Sequence, residues 1–486
     1  MAKLPTPPLS RRAASTAPLS YAQERLWFID AAAPGSAVYN VPLLTRWNEP
    51  VDIAALTRAL AAVVARHEVL RTTYGLRDGR PVQYVGEPVP VPVEVIPTAL
   101  RDDAELAPHA RAPFDLATAP PLRCVVWQGG PDGDATLLVA HHIAVDGWSL
   151  TALYEDLAEV YEQALSGAEP RLAELAVQYA DFAAWDREVG GHPAMTERLD
   201  ARLAEILAVP GDLALGPCPP RRALPEGDRL GRQHTFRLNA QLVADTRELA
   251  TRLRATDFVV LFAAFQAVVQ RWTGQEEFLL GTVAANRPHP SVEQLVGFFV
   301  NTVPLRCRLD VRWSFERLCD EVRGESFRAL SHQRLPFDQL TARAAADRSR
   351  PQGPLVGVGF VLQNMPAPRL GDRPRWTAPR LLPTGTAKQD LTLVLAYDSD
   401  DDGDGILATV EYATDRYTEE TVRELAGHFQ VLLAAAVADP RAPLCRLPLT
   451  RPADGRPGPG VLFGEERDLV GEYRERLAVA EQGDRA

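Results

Sequence analysis

The sequence lacks the marks of several protein classes. Its five cysteines, Cys124, Cys218, Cys307, Cys319 and Cys445, are odd in number, widely scattered and contain no C-x-x-C pair. That spacing gives no support to a disulfide framework or a zinc site and fits reduced thiols. No apolar run approaches a membrane span, and the N-terminus "MAKLPTPPLSRRAASTAPLS" has no apolar signal core. Basic charge is also short. The net charge is −12 with a pI near 5.4, so a nucleic-acid or membrane-surface partner is not expected, and any basic patch is local. A soluble cytoplasmic protein without a metal is the expectation.

At 486 residues the chain exceeds one ordinary core, and its 46% apolar and 24% charged residues are those of a globular protein. Its 41 prolines cluster in the N-terminal tail to Pro18, from Val209 to Arg229, and from Thr450 to Gly460. Stretches rich in proline and glycine supply neither helix nor central strand and read as linkers. The chain divides into a flexible tail 1–18, an N-terminal lobe 19–208, a linker 209–229, a C-terminal lobe 230–449 and a tail 450–486, where Leu469, Tyr473 and Leu477 have weak helical spacing.

Both lobes alternate helical and strand patterns, the signature of a mixed α/β fold. "VDIAALTRALAAVVARHEVLRTTY" starts at a possible cap, Asp52, and spaces Ile53, Leu56, Leu60 and Val63 as one helix face. "DFVVLFAAFQAVVQRW" reads as a buried helix, "EEFLLGTVAANRP" as a strand entering a loop, and residues 390–415 as a hairpin around Gly403 and Gly405.

Two of the nine histidines are adjacent, in "LLVAHHIAVDGWSLTALYEDLAEVY". The apolar run before them suits a strand buried on both faces, and an amphipathic helix follows, with Ser149 near its start. Strand-to-helix corners of α/β folds collect binding and catalytic groups. If the strand continues through His141 and His142, their rings point to opposite faces, and only one meets a given cleft. Asp146 can orient a ring, pair with an arginine or cap the helix, and Gly147 permits a backbone shape other residues resist. Diverging histidines without supporting ligands argue against a metal.

The pattern H-H-x-x-x-D-G, with its company, resembles the condensation domains of nonribosomal peptide synthetases. "LSYAQERLWFID" from Leu19 and "RHEVLRTTY" from Arg66 look like the family's first two motifs. "YADFAAW" from Tyr179, "VGFFVNTVPLR" from Val296 and "HQRLPFDQL" from His332 are similar to the fourth to sixth, and "DRSRPQGPLVGVGFVLQN" from Asp347 to the seventh. All stand in family order from Leu19 to Leu449.

The resemblance implies two chloramphenicol acetyltransferase-like lobes, a V-shaped pseudodimer with a central substrate tunnel. Carrier proteins bring phosphopantetheine-tethered substrates to it, and no cofactor is bound by the enzyme itself. It makes His142 the active-site residue and His141 structural, pairs Asp146 with Arg71, and puts Asn301 near the tunnel. The implied reaction is attack of an amine, or of an alcohol, on a donor thioester. With no adenylation or carrier domain in view, a free-standing monomeric enzyme is expected. Cyclisation relatives carry aspartates where His141 and His142 stand, whereas a carrier-recruiting scaffold is the rival reading. Local basic pairs, Arg11 with Arg12 or Arg221 with Arg222, are candidate carrier contacts.

Overall fold

The computed structural model describes residues 7–129, 133–209, 213–216, 229–346, 354–365, 368–370, 375–398 and 405–450. Most of the expected linker, with Arg221 and Arg222, lies outside the described residues, as do Gly403 and nearly all of the C-terminal tail.

The described strands are β1 (Thr16–Pro18), β2 (Asn40–Arg46), β3 (Thr72–Arg77), β4 (Arg80–Val85), β5 (Val93–Ile96), β6 (Leu122–Trp127), β7 (Ala135–His141), β8 (Gly231–Leu238), β9 (Glu277–Ala284), β10 (Asn301–Arg308), β11 (Val358–Gln363), β12 (Arg380–Leu381), β13 (Leu391–Asp398) and β14 (Gly405–Ala413). They form a five-stranded sheet in the order β12-β2-β7-β6-β5, a six-stranded sheet β10-β9-β11-β13-β14-β8, and a small sheet β1-β4-β3. Both large sheets mix parallel and antiparallel pairs, the α/β class expected.

In the first half, β7 is buried at every position because β2 and β6 flank it. Its apolar run has no solvent face to serve. The helix Ile53–Arg66 starts where Asp52 accepts the Ala55 N–H at 2.9 Å. It packs on the helix Gly147–Leu165, which buries Leu153, Tyr154, Leu157, Val160, Tyr161 and Ala164 on one stripe. In the second half, the helix Asp257–Thr273 is buried from Val259 to Gln270, enclosed by the helices Phe315–Ser331 and Glu419–Ala438 and by the sheet. It ends at Gly274, whose φ of +68° suits glycine.

Two features depart from the expected boundaries. Thr16–Pro18, within the segment expected as a flexible tail, pairs antiparallel with β4. Further, β12 comes from the second half of the chain and adds to the edge of the first sheet, against Leu43 and Leu44. Trp376 travels with it and packs on Trp47 and Tyr161, with ring centroids 4.7 and 5.4 Å away. Val296, Phe299, Phe337, Val356 and Leu382 of the second half also belong to the first core. The halves are thus joined by shared core as well as by the chain. Sequence periodicity gives no hint of a two-residue strand, because so short a segment has no period.

Candidate active site

The corner at the end of β7 is held by hydrogen bonds to both neighbouring strands. The His141 N–H reaches Pro121 O at 3.0 Å, on the β6 side, and the His142 N–H reaches Tyr39 O at 2.8 Å, on the β2 side. The alternation of the ladder therefore runs one residue past the strand, and the two rings take different surroundings. His141 lies against Phe114 of the first half, and His142 lies edge-on to Phe298 of the second, with centroids 5.0 Å apart.

The rings also hold opposite tautomers. Nδ1 of His141 accepts the Ile143 N–H at 3.1 Å, so its Nε2 carries the proton. Nδ1 of His142 stands 2.7 Å from Val145 O. A carbonyl only accepts, so this Nδ1 carries the proton and Nε2 keeps a free lone pair. Among the described residues nothing occupies that lone pair. Burial pushes the pKa of His141 down to about 3, aided by His142 and Arg123. His142 is also pushed down to about 3, by burial first and then by the charge of Lys388. Both rings are neutral at pH 7, yet His141 is only 2% exposed while His142 is partly open. His142 is the accessible base.

Asp146 caps the following helix through a 2.8 Å bond from the Ser149 N–H. It is 1% exposed, and a buried carboxylate needs compensation. Arg287 of the second half supplies it, at 3.1 Å, while the Phe299 N–H donates to the other carboxylate oxygen at 3.0 Å. The Ser149 hydroxyl lies between Asp146 (2.7 Å) and Gly297 O (2.6 Å), and accepts from the Gly297 N–H and from Arg287, each at 3.0 Å. Arg287 further donates to Val292 O and Leu295 O and lies over the Phe299 ring at 4.1 Å. One buried cluster therefore fixes the histidine corner to the loop preceding β10.

The expected Asp146–Arg71 pair is not formed. The Arg71 guanidinium donates to Gly86 O and lies 4.0 Å from Glu68. Its turn, Glu68–Arg71, directs it along its own small sheet, where the Gly86 N–H also returns to Arg71 O. Arg287 takes the role instead. The signal in the sequence is "NRP" after β9, but a cation 141 residues away from its carboxylate is not assigned by spacing.

The remaining residues brace the corner. Gly147 opens the helix beneath Met365, whose sulfur would lie 2.4 Å from an added Cβ. Asn301 donates to Gln333 O (2.8 Å) and Leu335 O (2.7 Å) and accepts the Phe337 N–H, so it positions the 332–340 segment. Gly297 lies flat on Tyr179, where a Cβ would meet the ring at 1.9 Å. Tyr179 donates to Phe298 O at 2.5 Å and so places the ring that faces His142. Gln23, which no sequence motif marks as a site residue, donates to Ile143 O at 3.3 Å and supports the turn just after His142. Arg12 is held by Glu68 and Asp181 and is largely buried, whereas Arg11 is half exposed beside it. Among the described residues no group of three His, Cys, Asp or Glu side chains could hold a metal ion.

A mixed α/β protein with an open histidine at such a corner is the class these observations define. The chain belongs to the condensation domain family: the profile described as Condensation domain matches residues 13–456. It is 39% identical over 456 residues to the probable non-canonical nonribosomal peptide synthetase CymA of Salinispora arenicola, covering 92% of this chain and 6% of that one. It is 35% identical over 466 residues to phosphinothricin tripeptide synthetase PhsC of Streptomyces viridochromogenes, covering 92% of this chain and 42% of that one. The chain thus spans less than half the length of either relative. Among solved structures, the X-domain in its complex with OxyB from teicoplanin biosynthesis superimposes with a TM-score of 0.80 at 24% identity, covering 93% of this chain and all of that one.

Proposed function

We propose that the chain joins a carrier-tethered acyl or aminoacyl thioester to an acceptor amine, with His142 at the centre of the reaction. The free Nε2 lone pair of a neutral, partly open imidazole is the observation that carries this reading. The acceptor nitrogen attacks the thioester carbon, and the carbonyl π pair moves to oxygen. Collapse of the tetrahedral species re-forms the carbonyl and expels the carrier thiolate. The surplus proton on nitrogen passes to His142 Nε2 and from there to the thiolate, leaving an amide and a free carrier thiol. An alcohol acceptor follows the same course to an ester.

His142 either takes the proton as the bond forms or holds the nucleophile and steadies the tetrahedral species. Orientation of two substrates end to end, in a tunnel between the halves, supplies much of the rate. A backbone N–H near Gly147, at the start of a helix, is a candidate donor to the developing oxyanion. The partners are a donor carrier protein and either an acceptor carrier or a free amine or alcohol, and the proposed setting is a cytoplasmic monomer in peptide natural-product assembly.

A second reading has one specific support: the X-domain neighbour is seen in complex with OxyB. On that reading the chain recruits carriers or other enzymes without chemistry. Intact-mass spectrometry of an acyl-loaded carrier protein, incubated with the enzyme and panels of carrier-bound and free amines and alcohols, separates the two. Loss of the acyl group with a matching amide or ester supports condensation. Stable binding of the carrier without turnover across the panel supports recruitment.

A further inference from the structure

Of the chain's three methionines, Met1 opens the sequence and Met195 is buried in the first core. Met365 is the third. It stands just past the end of β11 in the second half and is partly open. Its side chain crosses to the histidine corner of the first half. A Cβ built on Gly147 would lie 2.4 Å from the Met365 Sδ and 2.8 Å from its Cε, so the far end of the thioether rests directly on the glycine. Gly147 is not in the left-handed region, and its backbone shape alone does not call for glycine. What the missing Cβ provides is the room in which the thioether lies.

The open part of the corner is small. Between His141 and Ser149 only His142, Gly147 and Trp148 are partly open. The Val145 N–H bonds back to His142 O at 3.3 Å, so His142 and Gly147 stand on one tight turn. The Asp146 carboxylate takes the Ser149 N–H, whereas the N–H groups of Gly147 and Trp148 have no acceptor among the described residues. The second half covers this turn at two places. Phe298, whose carbonyl is held by Tyr179, meets the imidazole edge-on, and Met365 overhangs the helix start. The two covers differ in kind: the ring is held in place, whereas an unbranched thioether is flexible and fits irregular shapes.

We propose that Met365, lying on Gly147 at the start of the helix, is the adjustable wall that selects the acyl group of the donor thioester. The proposal rests on the acyl-transfer reading given above. As the donor's carbonyl oxygen takes up negative charge, the free N–H groups of Gly147 and Trp148 are the donors this turn offers it. The substituent on that carbonyl carbon then stands beside the thioether. The acceptor nitrogen comes instead from the Nε2 side of His142, so its own side chain is not what Met365 touches. A small acyl group leaves Met365 lying on Gly147, and a branched or aromatic one is admitted by turning the thioether outward. An apolar wall of this kind discriminates by about 10- to 200-fold for each methylene it admits or refuses.

Two measurements on the full chain test this. The first is competition between carriers loaded with acetyl and with isovaleryl or phenylacetyl thioesters. Met365→Ala is expected to raise kcat/KM for the bulky donors relative to acetyl about tenfold, and Met365→Phe to lower it by about as much. Met365→Leu, of similar volume, should hold the wild-type ratio. Gly147→Ala should change the ratio in the wild-type background and lose that effect in Met365→Ala, because its Cβ acts by moving the thioether. The second measurement needs no turnover. With 13Cε-labelled methionine in His142→Ala, the Met365 methyl signal, assigned by its loss in Met365→Leu, is expected to shift on binding of acyl-loaded carrier, and further for phenylacetyl than for acetyl. An unmoved methyl signal, donor ratios within twofold of wild type in both Met365→Ala and Met365→Phe, or a change in acceptor preference alone overturns the proposal. A wild-type enzyme that transfers nothing while the methyl signal still responds to acyl size would sink the acyl-transfer reading and leave the wall standing.

Discussion

The two halves share a plan, a mixed sheet with helices packed against it, but they are not equivalent. The first half holds the acceptors of the site, the His142 lone pair and the Asp146 carboxylate. The second half supplies the complement: Arg287 to the carboxylate, Phe298 to the ring, β12 and Trp376 to the sheet and core. The six-stranded sheet, by contrast, is built entirely from strands of the second half. The candidate site thus sits on the half that borrows strand, core and counter-charge, and its integrity depends on contacts made from the other half.

The sharpest way to break that dependence is to remove the cation from Asp146. Arg287→Met leaves a buried carboxylate uncompensated and is expected to cost about 3–5 kcal/mol in urea unfolding, together with most of the activity. Asp146→Asn added to it should restore part of that stability. Additive losses would show that the pair does not act as a unit.

Trp376→Ala tests the loan itself. Loss of a large buried aromatic should cost about 3 kcal/mol, and faster hydrogen exchange should be confined to β2 and the first core. Uniform exchange throughout both sheets would contradict the local role given to Trp376 and β12.

The histidine pair gives a smaller, pH-dependent term. Burial depresses the pKa of His141 to about 3, so below its unfolded value the unfolded chain binds the extra proton. The stabilisation is complete above about pH 6.5 and is lost as the pH falls toward 3. Between pH 7 and pH 5 this one residue should lower stability by about 2 kcal/mol, and His141→Asn should flatten the slope by that amount. His142, depressed to about 3 in the same direction, should add a term of the same sign and similar size. An unchanged slope in His141→Asn would refute the buried-neutral assignment.

The smallest effect is expected at Arg71, which serves only the edge of the small sheet. Arg71→Ala should cost about 1 kcal/mol and leave transfer within twofold of wild type. A loss matching that of Arg287→Met would return Arg71 to the site.

What the sequence makes legible is local or repeated. The Asp52 cap, the buried β7 run and the stripe on the helix Gly147–Leu165 follow from spacing over a few residues. The divergence of His141 and His142 follows from strand alternation. The motif order identifies the family, and makes His142 the expected site residue, without any knowledge of the contacts. What stays hidden depends on the course of the chain through space. The motif resemblance points to Arg71 as the partner of Asp146, and Arg287 emerges only when the loop before β10 is seen to fold back on the corner. The family motif alone puts Asn301 near the site, and only its three backbone bonds identify a bracing role.

The most direct test of the central claim is His142→Ala in the intact-mass assay, with carrier binding measured in parallel. The account predicts a folded protein that binds acyl-loaded carrier as wild type does and transfers the acyl group about 100-fold more slowly or less. Transfer at the wild-type rate, from a carrier still bound, would contradict it and leave recruitment as the function of this fold.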